Sequence, residues 1–441
     1  MRRLGKRTLA AAVLTTSLAV WGATVAASGQ DPSGRGPRNV ILLIGDGMGD
    51  SEITMARNYW KGAGGRLAMD ALPSTGAYTT YSVEEFDPSK PDYVTDSSAS
   101  ATGFATGHKT SDKRIGTSPG DDKDLKTILE LAQERGMRTG FATTSGISTA
   151  TEAAFTSHVR FRGCMGPESM QQCLTDRKSH DGPGSIAEQQ LDHGVDVMLG
   201  GGRTYFEQRI DAGPDRGQTV LEAARRHGYD VALDANELRT ARRDRKLLGL
   251  FSPVGMSAEW SGDPAEAGQG SGPQRCEQDR RPEDQPSLVA MARTTLQRLE
   301  NDKGFFALVE GANIDTYSHS ANPCQEIGEA VEFDRAVRVV LDYAKAHPNT
   351  LVVVTADHGH AGQIVPVDAE TASLPPGVFS TLVTNEGARM RIAYDTVPAG
   401  GLQKHTGTQV RIAAQGPHAD GVLGVTDQTD LFETMKAAIG G

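Results

Sequence analysis

The chain has 441 residues, with 45 lysines and arginines against 56 aspartates and glutamates, a formal charge of −11. That acidic excess excludes a nucleic-acid binder that works by neutralising phosphates, and it excludes broad docking on an anionic membrane. Charged residues at 23% and hydrophobic residues at 37% belong to a folded protein, and 51 glycines imply many tight turns. The length allows one large α/β unit or two to three smaller ones.

At the N-terminus, Arg2, Arg3, Lys6 and Arg7 precede the apolar run Leu9–Val20, and the small residues Val25-Ala26-Ala27 follow. This is the layout of an export signal, so residues 1–27 are expected to be cleaved and 28–37 to form a short linker. The run contains Thr15, Thr16 and Ser17 and is short for a membrane span. Leu4-Gly5 after Arg2-Arg3 lacks the apolar pair of twin-arginine signals, which favours the general export route. The mature chain is expected in the periplasm or outside the cell. No later stretch is apolar enough to cross a bilayer.

The elements follow in order. Asn39–Ile44 is a continuous β-rich apolar run, the pattern of a strand buried on both faces of a parallel sheet. Helical spacing over Leu125–Arg135 leads to a strand at Thr139–Thr144. The alternation repeats as helix Ser185–His193 and strand Val195–Leu199, then helix Val220–His227 and strand Tyr229–Ala232. It continues as helix Ser287–Leu299 and strand Phe305–Val309, then helix Ile327–Ala346 and strand Leu351–Thr355. Helices between buried strands predict an α/β three-layer sandwich with a central, mostly parallel sheet and helices on both faces. Residues 38–441 show no clean linker and read as one domain. The polar stretch 257–284 reads as a long surface excursion pinned by Cys276.

The four cysteines, Cys164, Cys173, Cys276 and Cys324, form no C-x-x-C pair and suggest two disulfides in an exported chain. Three connectivities exist; sequence proximity favours Cys164–Cys173, which leaves Cys276–Cys324.

Ligands of parallel sheets collect at the carboxyl ends of the strands. Asp46 follows the first strand, Glu310 and Asp315 follow Phe305–Val309, and Asp357, His358 and His360 follow Leu351–Thr355; His405 lies in a later loop. Each cluster alone is weak evidence, since an Asp between glycines is most often a turn residue. Their concurrence points to metal. Asp and His without Cys suit zinc, and carboxylate with hydroxyl suits magnesium. Asp315 and His319 share a face if their segment is helical. About six such ligands suffice for two metals clamping a phosphoryl transfer. In Thr95-Asp96-Ser97-Ser98-Ala99, small residues after an Asp predict a helix start near Ser97, which becomes a candidate nucleophile beside metals.

At this point five ordered strings, IGDGMGDSEIT (44–54), VTDSSASAT (94–102), VEGANID (309–315), VTADHGH (354–360) and HTGTQVRIAA (405–414), together with the tail TDQTDLF (426–432), resemble bacterial alkaline phosphatases. The resemblance runs from about residue 38 to 438. It implies a phosphomonoesterase in which Ser97 forms a phosphoseryl intermediate. It further implies two zinc ions, one held by Asp315, His319 and His405 and the other by Asp46, Asp357 and His358. A third, magnesium-type site is implied at Asp46, Glu310 and Thr151. Arg162 matches the arginine that grips phosphate with a planar fork, and relatives are commonly homodimers.

Two positions depart from the pattern: Thr149 stands where relatives often carry Asp or His near the third metal, and Thr316 stands where many carry Lys or His near phosphate. His360 also falls in the phosphate vicinity. The departures imply a third site that binds magnesium weakly or holds another ion, and looser phosphate binding. Phosphodiesterases of the same superfamily and a non-catalytic metal- or phosphate-binding protein are the rival readings. Arg162 counts against the first, because it fills space that a diester's second substituent needs; the full ligand set counts against the second.

Overall fold

The computed structural model describes residues 38–278, 280–368, 376–398 and 401–440. The expected leader and linker lie outside the described residues. In chain order the strands are β1 (Arg38–Gly45), β2 (Ser74–Thr79), β3 (Ser82–Glu84), β4 (Asp87–Asp92), β5 (Arg138–Gly146), β6 (Val197–Gly201), β7 (Tyr229–Ala232) and β8 (Lys246–Leu250). They continue with β9 (Ser271–Gln274), β10 (Gly304–Gly311), β11 (Thr350–Ala356), β12 (Gly362–Val365), β13 (Val378–Val383), β14 (Arg389–Tyr394), β15 (Val410–Gln415) and β16 (Gly424–Asp427).

The main sheet has ten strands in the order β16-β2-β15-β11-β1-β10-β5-β6-β8-β7. All run in one direction except β15, which is antiparallel to β11 and β2. Helices Asp50–Lys61, Leu288–Leu299 and Pro323–Ala346 pack together, while Ser97–Thr106, Ile128–Glu134, Ala150–Thr156, Ile186–Asp192 and Asp430–Ala438 pack as a second group. The expected sandwich is therefore present. β1, β10 and β11 are buried along almost their whole length, which is why they are near-continuous apolar runs without alternation.

Register places the site. Gly45 at the end of β1 lies opposite Gly311 of β10 and Ala356 of β11, so Asp46, Ala312 and Asp357 leave the sheet at one level. The turn after β1 requires Gly47: its φ is +63°, and a Cβ there would lie 2.6 Å from the His360 ring.

Helix ends follow their caps. The helix expected from Leu125 begins at Ile128, because Thr127 and Glu130 form a capping box. The helix expected from Ile327 begins at Pro323, after the Asn322 cap. The 257–284 stretch is anchored inside its length: Trp260 is 1% exposed and packs on Tyr59 and Trp60, and β9 pairs in parallel with β13. Burial of one large aromatic outweighs the polar composition around it. β9 belongs to a separate four-stranded sheet, β12-β14-β13-β9.

Disulfides join Cys164 to Cys173 and Cys276 to Cys324, across sequence separations of 9 and 48 residues. By loop-closure entropy the longer link contributes roughly 4 kcal/mol and the shorter about 2.5 kcal/mol. Urea unfolding of Cys276→Ser/Cys324→Ser is therefore expected to show the larger loss of stability, and a larger loss in Cys164→Ser/Cys173→Ser would contradict the entropic account.

Candidate active site

Three strand ends and three helix starts converge on one cluster. Asp46 comes from the end of β1, and Glu310 lies in β10, followed by helix Asn313–His319 carrying Asp315 and His319. That segment is helical as the spacing required, and Asp315 Oδ1 lies 3.3 Å from His319 Nε2. Asp357, His358 and His360 follow β11. Ser97 is the first residue of helix Ser97–Thr106, whose N-cap Asp96 accepts the Ala99 N–H at 2.9 Å. Thr149 to Thr151 lie at the start of helix Ala150–Thr156.

The ligand candidates fall into two adjoining groups, Asp46 with Asp357 and His358, and Asp315 with His358, His360 and His405. In the first, His358 Nε2 lies 3.2 Å from Asp46 Oδ1 and 3.5 Å from Asp357 Oδ2. Ser97 Oγ faces both, 3.2 Å from His358 Nε2 and 3.5 Å from Asp46 Oδ1. In the second, Asp315 Oδ1 lies 3.3 Å from His405 Nε2, and His319 Nε2 lies 3.1 Å from His405 Nε2. His319 Nδ1 meets the Gln403 carbonyl at 2.6 Å and His405 Nδ1 meets the Thr95 carbonyl at 3.1 Å, so both rings present Nε2 inward. His360 Nε2 sits 2.6 Å from Asp315 Oδ1. It therefore orients the carboxylate of Asp315, a role its sequence neighbourhood did not disclose.

Arg162 Nη1 pairs with Asp96 Oδ2 at 3.0 Å, so the guanidinium is held in a groove by the residue that precedes Ser97. The same groove is lined by Thr95, Lys113, His319, Lys404 and His405. Thr316 is exposed on its helix. Thr149 spends its hydroxyl on the Gly146 carbonyl at 2.7 Å.

Sequence reasoning missed one residue. Glu152 is 0% exposed, both its carboxylate oxygens lack a hydrogen-bond partner, and it lies against Glu310 and Thr143. The Thr143 hydroxyl donates to Glu310, and the neighbouring Thr151 hydroxyl is buried and unpaired. The signal was a lone glutamate in a helix whose residues are all buried, and no motif marks it.

The electrostatics are those of uncompensated anions. Burial raises Asp46, and Asp357, Asp315 and Glu310 raise it further. Asp357 is pushed up to about 7, by burial and by Asp315 and Glu310, against the opposing Gly47 N–H. Burial raises Glu152, and Glu310 adds to it. Asp315 is the exception: burial works against its ionised form, but His360 and His405 hold it well below the usual range. His358 is driven low by burial and by His405, so its ring is neutral and available as a ligand. Orphaned oxygens on Asp357, Thr151 and Glu152, with neutral imidazoles beside them, fit divalent cations of the zinc and magnesium types.

Cation binding must then displace protons from the raised carboxylates and from His405, which Asp315 raises against the opposing effect of burial, whereas His358, held neutral, contributes none. Zinc added to chelated protein at pH 6.5 is expected to release about one proton or more per chain, with affinity falling as pH drops below about 7. Calorimetry in two buffers of different ionisation enthalpy reads this directly, and absence of release would contradict it.

Comparison with known proteins agrees with this geometry. A family model described as alkaline phosphatase matches residues 37–402. The chain is 49% identical to the streptomycin-6-phosphate phosphatase of Streptomyces griseus over 97% of both chains. It is 46% identical to the alkaline phosphatase of Escherichia coli (strain K12), over 91% of this chain and 86% of the other. A variant of the TAB5 alkaline phosphatase, described with magnesium bound, superposes with a TM-score of 0.67 at 25% identity, covering 92% of this chain and 98% of that one. On this evidence the chain is a phosphatase belonging to the alkaline phosphatase family.

Proposed function

We propose that the enzyme hydrolyses phosphate monoesters through a phosphoseryl intermediate on Ser97. The observation that carries this reading is Ser97, 2% exposed at a helix start, with its Oγ facing His358 and Asp46 and with Arg162 held by the adjacent Asp96. Arg162 holds two phosphoryl oxygens, and the N-terminus of helix Ser97–Thr106 adds its dipole. The Ser97 oxygen attacks phosphorus and the ester oxygen leaves as the alcohol; water then displaces the serine oxygen and inorganic phosphate departs.

Asp46, Asp357 and His358 would hold one zinc, and Asp315, His319 and His405 a second. Asp46, Glu310, Thr151 and Glu152 would hold a third ion of the magnesium type. Bound there, such ions supply Lewis-acid stabilisation and lower the pKa of coordinated hydroxyls. Glu152 replaces the charge that Thr149 lacks, so the third site is proposed to bind magnesium firmly and not weakly as the Thr149 position implied. The rest of the reading is export to the periplasm or medium, one catalytic domain over residues 38–441, and a homodimer. One large core cluster, shared by the main sheet and both groups of helices, supports the single domain. Exposed Phe86, Leu423 and Val425 offer apolar surface for self-association. Among the described residues no helix is long and apolar enough to cross a membrane.

Acid-quenched enzyme turning over an aryl phosphate, and in parallel streptomycin 6-phosphate because of the relative named for it, is expected to carry a phosphoryl group on the Ser97 peptide by mass spectrometry. Ser97→Ala should lose that adduct and at least about 10³-fold in turnover; an adduct elsewhere, or none with full activity, would overturn the mechanism. In zinc-loaded protein, Glu152→Gln is expected to weaken magnesium binding by about tenfold or more, read by calorimetric titration. An unchanged affinity would remove Glu152 from the third site.

A further inference from the structure

Glu130, His158 and His193, none of them in the strand-end cluster, each bring one ligand atom to within 4.8 Å of the others. They come from three elements. Glu130 lies in helix Ile128–Glu134, His158 follows helix Ala150–Thr156, and His193 caps helix Ile186–Asp192.

Each side chain is oriented as a ligand. His158 is 7% exposed, and its Nδ1 meets the Gly116 carbonyl at 2.8 Å; that contact keeps the proton on Nδ1 and turns the Nε2 lone pair towards Glu130. Glu130 uses Oε2 to accept the Thr127 N–H at 2.8 Å, which leaves Oε1 facing His158 Nε2. The His193 Nδ1 atom is buried and has no partner. The frame is braced as well. The Gln189 amide, on the helix that His193 caps, bonds the His158 N–H at 2.8 Å and its carbonyl at 2.9 Å.

The spacing suits an ion better than a close hydrogen bond. A charge-assisted hydrogen bond closes to about 2.7–2.9 Å, whereas His158 Nε2 and Glu130 Oε1 stand 3.5 Å apart. A tetrahedral ion with bonds of about 2.0–2.1 Å sets its ligands roughly 3.4 Å apart. An ion pair between His158 and Glu130 also leaves the buried His193 nitrogen unanswered.

We propose that Glu130, His158 and His193 bind a divalent transition-metal ion of the zinc type, with water as the fourth ligand, in a site separate from the catalytic cluster. Its occupant would tie helices Ile128–Glu134 and Ile186–Asp192 to the segment that runs into Arg162. That segment is already held by the Ile115–Val159 bridge and by Arg162 N–H to the Lys113 carbonyl at 2.7 Å. The site is thus a brace behind the phosphate-gripping residue.

The test uses holoenzyme saturated with magnesium, equilibrated with zinc, gel-filtered and assayed for metal by mass spectrometry. Wild type is expected to retain one more zinc per chain than His193→Gln or Glu130→Gln. The second variant keeps the helix cap, because a glutamine oxygen can accept the Thr127 N–H, and retained phosphatase activity certifies that each variant is folded. Equal zinc content in all three proteins overturns the proposal. So does a zinc-edge anomalous map of wild-type crystals that shows no peak among the three residues, a readout that depends on no variant.

Discussion

The structure turns on negative charge that the fold buries without neutralising. Asp46, Glu152, Glu310 and Asp357 are all 8% exposed or less, and Asp315 adjoins them. Arg162 is the cation that bears on Asp46, and its nearest partner is Asp96, outside the cluster. Removing carboxylates from water costs several kcal/mol each unless a counter-charge meets them. No arrangement of backbone N–H groups supplies that; Gly47 and His358 offer Asp357 only two. The cluster is coherent only as a cage for cations, and its position follows from the equal register of β1, β10 and β11.

Asp96 joins the two halves of the chemistry. One of its oxygens caps the helix that begins at Ser97, and the other holds Arg162. Ser97 and the Arg162 guanidinium are therefore both referred to a single carboxylate, itself secured by the Lys113 N–H at 3.1 Å. Oriented this way, the groups await the substrate and need little rearrangement, which is where much of the rate advantage of such sites arises.

Much of this was legible in the sequence, for a physical reason. Strands buried on both faces must be continuous apolar runs, so β1, β10 and β11 announced themselves, and the polar residues at their ends could be read as a site. β15 and the four-stranded sheet were not legible: β9 and β12 are short and partly exposed, and β15 and β9 pair with strands far away in sequence, which local pattern does not encode. His360 could be placed near the site from its position after β11, but its contact could not: its ring reaches Asp315, 45 residues away. Glu152 was invisible for a different reason. A lone glutamate usually points to solvent, and only the packing of helix Ala150–Thr156 shows that this one does not.

The most direct test of the account is hydrolysis of an aryl phosphate monoester at alkaline pH, with a matched diester alongside, before and after chelation and after return of zinc and magnesium. The account predicts that monoester turnover exceeds diester turnover, collapses on chelation and recovers with both metals. Full activity in the chelated protein, or a preference for the diester, would contradict it.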